Sequence, residues 1–253
     1  MAAGLFVGDE LLSANESNPH GHFEDRAFIR IHERIFSENG AGWLAPSPFV
    51  PIVSPDLRNH IRALLADRDA HHSFWGFKDP RACLFVDTWR TMLSAPRFLV
   101  CLRHYRACVD SVVRRALSAV RTTTARNEAR QQMLLASDHD AIARSWIAHM
   151  LPLLRLMRLH PAIVHSVCVG DMPLSIAADL ADRFGLPLSP IPLSASFEPT
   201  LFKADVDVEI TLSDETAQIA ERVWVALMEA HADLQAVVPP RTRARQAVFE
   251  SAA

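Results

Sequence analysis

The sequence predicts a helix-rich α/β domain with a central, mainly parallel sheet flanked by helices, and three observations carry that expectation. Phe98–Leu102 is a continuous apolar run that stops at Arg103 and gives way to a helical period, so it reads as a buried parallel strand, a turn and a helix. Residues 162–169 form a second such run, entering Gly170-Asp171-Met172-Pro173 and then an amphipathic helix (Ile176, Ala177, Leu180, Phe184) closed by Gly185. Residues 74–77 read as a third, shorter strand leading into Lys78. Strands alternating with helices imply a parallel sheet covered on both faces. The strand count is low for the length, so helices must supply the rest.

The 253 residues, 49% hydrophobic and 22% charged, suit a soluble globular chain with a sizeable core. A single domain is expected over residues 1–238, with a frayed tail over 239–253. Net charge is -3 with no block of like charges, which argues against a nucleic-acid or membrane-surface partner. The RTRAR run from residue 241 reads as part of the solvated tail. Cys83, Cys101, Cys108 and Cys168 lie in apolar segments without CxxC or metal-ligand spacing, the pattern of buried reduced thiols in a cytoplasmic protein. Neither a signal peptide nor an apolar run of membrane-spanning length is present.

Taken in order, MAAGLFVGDELL reads as a helix end followed by turns at Gly4 and Gly8, as of a chain that enters the fold already under way. After a loop rich in Asn, Pro, Gly and Ser, a helix begins at Glu24 with Phe28, Ile31, Ile35 and Phe36 on one face, ending at Gly40 and Gly42. Glu24 and Asp25 would occupy its first turn, where acids compensate the helix dipole. Ser54-Pro55 opens a second helix with Leu57, Ile61, Leu64 and Leu65 inward. Asp79 is a plausible N-cap and Pro80 a first helical residue for a helix burying Phe85, Trp89, Met92 and Leu93. That leaves Lys78 at a strand end beside a helix N-terminus. His71 and His72 are adjacent, not at the spacing of a metal site on a helix, and read as exposed.

The helix after Arg103 carries Cys108, Val112 and Ala116 on one face and runs on towards Arg121. RTTTARNEARQQ follows as a mobile connection or a solvated helix. A long helix from Asp138 carries Ile142, Trp146, Met150 and Leu154, and Pro152 should bend or divide it. FEPTLFKADVDVEI reads as irregular, and Ser213 caps a final helix through Ile219, Val223, Leu227 and Leu234.

Arg103 at a strand's carboxyl end and Ser111 two turns into the next helix could together hold one anionic group, through a planar fork of donors and a hydroxyl. Read alone, they also describe a surface arginine in a strand-helix corner and a serine on a helix flank. Three segments in order, NPHGHFEDRAFIRIHERIF, WGFKDPRACLFVDTW and FLVCLRHYRACVDSVVRR, resemble bacterial sulfotransferases that use 3'-phosphoadenosine 5'-phosphosulfate (PAPS). The resemblance runs from about Gly8 to Leu186. It implies a P-loop-like α/β fold and transfer of a sulfuryl group to a hydroxyl or amine of a carbohydrate or other small molecule, with no metal.

Carried over position by position, the resemblance implies a 3'-phosphate site at Arg103 and Ser111, with Arg115 one turn further on. It puts Lys78 near the transferred sulfuryl group and Glu24 as the base for the acceptor, with Asp25 as its competitor. Lys78 as a solvated lysine and Glu24 as a dipole-compensating acid stay open. The acceptor pocket would fall to loops such as residues 45–54 and 121–132. The chain departs from the family in two ways. The family's first strand and the RSGTS-type loop that cradles the 5'-phosphosulfate would precede residue 1, so Met1 reads as an internal or late-assigned start. Tyr105, the only tyrosine, stands where the family commonly has proline. A non-catalytic relative, a pseudoenzyme or interaction module, is the alternative expectation.

Overall fold

The computed structural model describes residues 3–13, 21–169, 175–189 and 208–237. Local capping chemistry sets most element starts. Helix α1 (Arg26–Glu38) begins where the Asp25 carboxylate accepts from the Ala27 amide at 2.9 Å, and it buries Phe28, Ile31, His32, Ile35 and Phe36. Helix α2 (Pro55–His71) begins where Ser54 Oγ accepts from Leu57 N at 3.2 Å, with Pro55 pre-set in the first turn. Asn39 ties the two helices' connection down: its amide donates to the Ile35 and Ile52 carbonyls and its oxygen accepts from Ile52 N. A 3-10 helix over Pro80–Phe85, capped by Asp79, runs directly into α3 (Val86–Met92).

Strand β1 (Phe98–Leu102) pairs in parallel with β2 (Val164–Cys168), in register from Phe98 opposite Val164 to Leu102 opposite Cys168. Between them run α4 (Tyr105–Thr122), α5 (Arg126–Ser137) and α6 (His139–Leu159). Helices α7 (Ile176–Phe184) and α8 (Asp214–Val237) follow, α7 ending on Gly185 at φ 64°, a left-handed position that suits glycine. Three apolar clusters result. One joins α1, α2 and α3; one packs α6 and α8 on the two strands; the third joins α4, α5 and α6. Helix α8 is also latched to β2, with Gln235 Nε2 donating to the Ser166 carbonyl at 2.9 Å and Ser166 Oγ 2.8 Å from His231 Nδ1.

The α/β class stands, in a reduced form: among the described residues the sheet has two strands. Residues 74–77 are not a strand. Trp75 makes a single parallel bridge to Phe6, while Phe77 turns inward to stack on Phe28 at 3.9 Å. Residues 3–13 are non-helical and carry two isolated bridges, the second between Leu11 and Asp25. Sheet cover is one-sided on β1, where Leu99 and Cys101 are exposed. None of the four cysteines is in a disulfide, and none is fully buried. His72 is half-buried because it stacks on Phe6 at 3.6 Å.

In α4 the buried stripe is Tyr105, Val109, Val113 and Ala116, one step out of phase with the expected Cys108 and Val112, which flank it half-buried. Pro152 neither divides nor ends α6, whose hydrogen-bonded run continues to Leu159. The RTTTARNEARQQ stretch is largely the solvated helix α5, whose buried contribution is Ala136. Gly170–Pro173, most of FEPTLFKADVDVEI and the tail over 239–253 lie outside the described residues. No helix among the described residues is long and apolar enough to cross a membrane.

Candidate functional site

The first helix starts two residues later than expected, at Arg26 rather than Glu24, and this separates the two acids. Asp25 is the N-cap and Glu24 precedes the helix altogether, so neither lies in the first turn. The cap turns Asp25 towards Arg68, whose Nη2 donates to it at 2.9 Å, and leaves it 2% exposed. Glu24 points the other way. Its Oε1 accepts from Lys78 Nζ at 2.8 Å and its Oε2 from Arg81 Nη2 at 3.2 Å, although Lys78 is 54 residues away in sequence. Lys78 Nζ also donates to the His22 carbonyl at 3.3 Å. The Glu24 side chain is 7% exposed and that of Lys78 59%, so a buried carboxylate is capped by a solvent-facing ammonium.

Behind this pair lies a layer of groups that the sequence did not single out. Arg81 Nε donates to Asp79 Oδ1 at 2.8 Å, and the same oxygen accepts from the Arg81 amide at 2.9 Å. Asp79 Oδ2 lies 2.8 Å from His32 Nδ1, and Trp89 Nε1 lies 2.9 Å from His32 Nε2. An indole N–H can only donate, so His32 Nε2 must carry the lone pair and Nδ1 the proton. The imidazole is therefore neutral and donates to Asp79. Burial pushes the His32 pKa below its ordinary value and outweighs the opposing bond from Asp79 and the charge of Glu24; the charge of Arg81 lowers it further. At Asp79 burial acts to raise the pKa, but bonds from His32 and Arg81 prevail and hold the carboxyl below its usual value.

A pH dependence follows with a definite sign. His32 is neutral when folded and free to protonate when unfolded, so below its ordinary value of 6.5 the unfolded chain binds more protons. The associated stability is present above that pH and is lost as pH falls towards the depressed folded value. His149, pushed down by burial against its bond to the Ser145 carbonyl, acts in the same direction. The thermal midpoint is expected to drop on acidification below about 6.5, and His32→Gln should flatten that drop. Equal pH profiles for variant and parent in calorimetry would contradict this account.

Arg103 sits just past the end of β1, half-buried, and the His104 ring caps α4 by accepting from Arg106 N. Ser111 lies half-buried on α4, about 9 Å along the helix from Tyr105 at 1.5 Å per residue. Arg115 is exposed one turn beyond it. Lys78 lies within electrostatic reach of Cys101 on β1, two residues before Arg103. Lys78 itself leaves an extended segment rather than a strand, immediately before the 3-10 helix. Beside Arg81 the surface dips into an open hollow of about 370 Å³, lined by Leu12, Arg26, Ile29, Arg30, Glu33 and Arg81. Among the described residues no group of three or more His, Cys, Asp or Glu is arranged to hold a metal ion.

Compared with protein-family models, with curated proteins and with solved structures, the chain matches none.

Proposed function

We propose that the protein is a sulfotransferase-like enzyme that moves a sulfuryl group from PAPS to a hydroxyl or amine of a carbohydrate or other small acceptor. The observation that carries the reading is the meeting of Glu24 and Lys78 at 2.8 Å across 54 residues, the pair expected to serve as acceptor base and sulfuryl-group cation. In this scheme the acceptor oxygen or nitrogen attacks sulfur, and the bond from sulfur to the bridging phosphate oxygen breaks. The acceptor proton passes to Glu24, and adenosine 3',5'-bisphosphate leaves with the electron pair. Such transfers depend on positioning and on stabilising charge at the leaving oxygen. Lys78 is suited to that task because its exposed side chain is free to turn from Glu24 to an incoming anion. Arg103, Ser111 and Arg115 would hold the 3'-phosphate.

Calorimetric titration of adenosine 3',5'-bisphosphate tests the nucleotide part directly. The parent chain is expected to bind, and Arg103→Ala to weaken binding by about tenfold or more while remaining folded, as expected for losing a charge-assisted fork to phosphate. Equal binding by the two proteins, or none by the parent, would overturn the assignment.

A further inference from the structure

Glu24 is held unequally at its two oxygens. Oε1 is capped by Lys78, a side chain more than half exposed, whereas Oε2 is bound by Arg81, whose side chain is 19% exposed. Arg81 is in turn fixed by Asp79, with side-chain exposure of 1%, which is fixed by His32 at 0%. Each link has a single chemically consistent polarity, set at the far end by the Trp89 indole. Arg81 Nη1 also lies 3.5 Å from the exposed Glu33 carboxylate. A paired chain of this kind, buried at Asp79 and His32 and half-buried at Arg81, holds its members to one geometry.

We infer that Asp79, clamped by neutral His32, is a positioning residue: it locks Arg81 Nη2 against Glu24 Oε2, so that only Oε1 is exchangeable and only by departure of Lys78. The inference rests on the proposed function for its catalytic meaning, since it states which oxygen of the base an acceptor would reach. It also gives the KDPR segment a division of labour. Lys78 moves, Asp79 and Arg81 do not. An asparagine at position 79 cannot serve both neighbours, because one of its two polar atoms is an NH2 that would face either the His32 Nδ1–H or the Arg81 Nε–H.

The test uses the full chain and needs no donor nucleotide. Exchange of the Arg81 Nε–H is followed by NMR, and Glu24 reactivity by carbodiimide coupling to glycine ethyl ester with peptide mass spectrometry. Asp79→Asn is expected to speed Arg81 exchange by about tenfold or more, as for loss of a protecting hydrogen bond, and to raise Glu24 coupling. Lys78→Met should raise Glu24 coupling while leaving Arg81 exchange at the parent rate. Because Asp79 also caps a helix, Ser54→Ala serves as a control for simple cap loss, and it should move neither readout. Arg81→Lys, which keeps the charge but loses the fork, should raise Glu24 coupling and answers the question if Asp79→Asn does not fold. Parent-like coupling in Arg81→Lys, parent-like exchange in folded Asp79→Asn, or deprotection of Arg81 by Lys78→Met would overturn the inference. Adenosine 3',5'-bisphosphate binding is measured separately, so its absence would count against the sulfotransferase reading alone.

Discussion

Replacing Arg68 with alanine is expected to lower the unfolding free energy by about 3–5 kcal/mol, the range for stripping one partner from a buried ion pair. The Arg68 side chain is 7% exposed, and it bonds Asp25, 2% exposed, on one side and Asp9 on the other. Most of the loss arises at Asp25, because Asp9 is 68% exposed and water can take over its charge. Asp25 has no such recourse. The guanidinium carbon also lies 5.1 Å from the Phe6 ring centroid, so the N-terminal segment is held at two points by one side chain. Gly8 lets that segment pass close over Asp25: its φ is 135°, and a Cβ there would fall 2.6 Å from the Asp25 carboxyl carbon. Urea unfolding of Arg68→Ala measures the effect, and a change below about 1 kcal/mol, typical of exposed pairs, would contradict it.

If the protein is the proposed sulfotransferase, Glu24→Gln is expected to cut sulfuryl transfer by about 10²–10⁴-fold, the usual contribution of a positioned general base, while nucleotide affinity stays level. Asp25→Asn should do the reverse, lowering stability through its cap and its Arg68 pair while leaving the chemistry of Glu24 in place. On the proposed function the two neighbouring acids separate into a reacting group and a structural one. Parent-like turnover in Glu24→Gln, or loss of turnover confined to Asp25→Asn, would assign the base the other way round.

Much of the helical framework was legible because its signals are local. Ser54-Pro55, Asp79-Pro80, Asp138 and Gly185 each declare an end through a side chain or a backbone angle acting within a turn. Lys78 and Glu24 were legible only by resemblance, since nothing in either segment announces the other. The roles of Arg81, Asp79 and His32 were hidden for the same reason. His32 and Asp79 are 47 residues apart, and a histidine on an apolar helix face has no local mark that separates a hydrogen-bonded core group from an exposed one. The α4 stripe was misphased because Tyr105 packs inward on Trp146, with ring centroids 5.8 Å apart, and rotates the buried face away from Cys108. The burial of Arg68 ran against the usual exposure of arginine.

The parallel pairing of β1 with β2 carries a consequence for the order of folding. Its two strands are separated in the chain by three helices, so the ladder closes a long loop and gains nothing until most of that segment is compact. Docking of α4 against α5, its neighbour in the chain, can thus precede the ladder, which joins its strands only once the helices between them are compact.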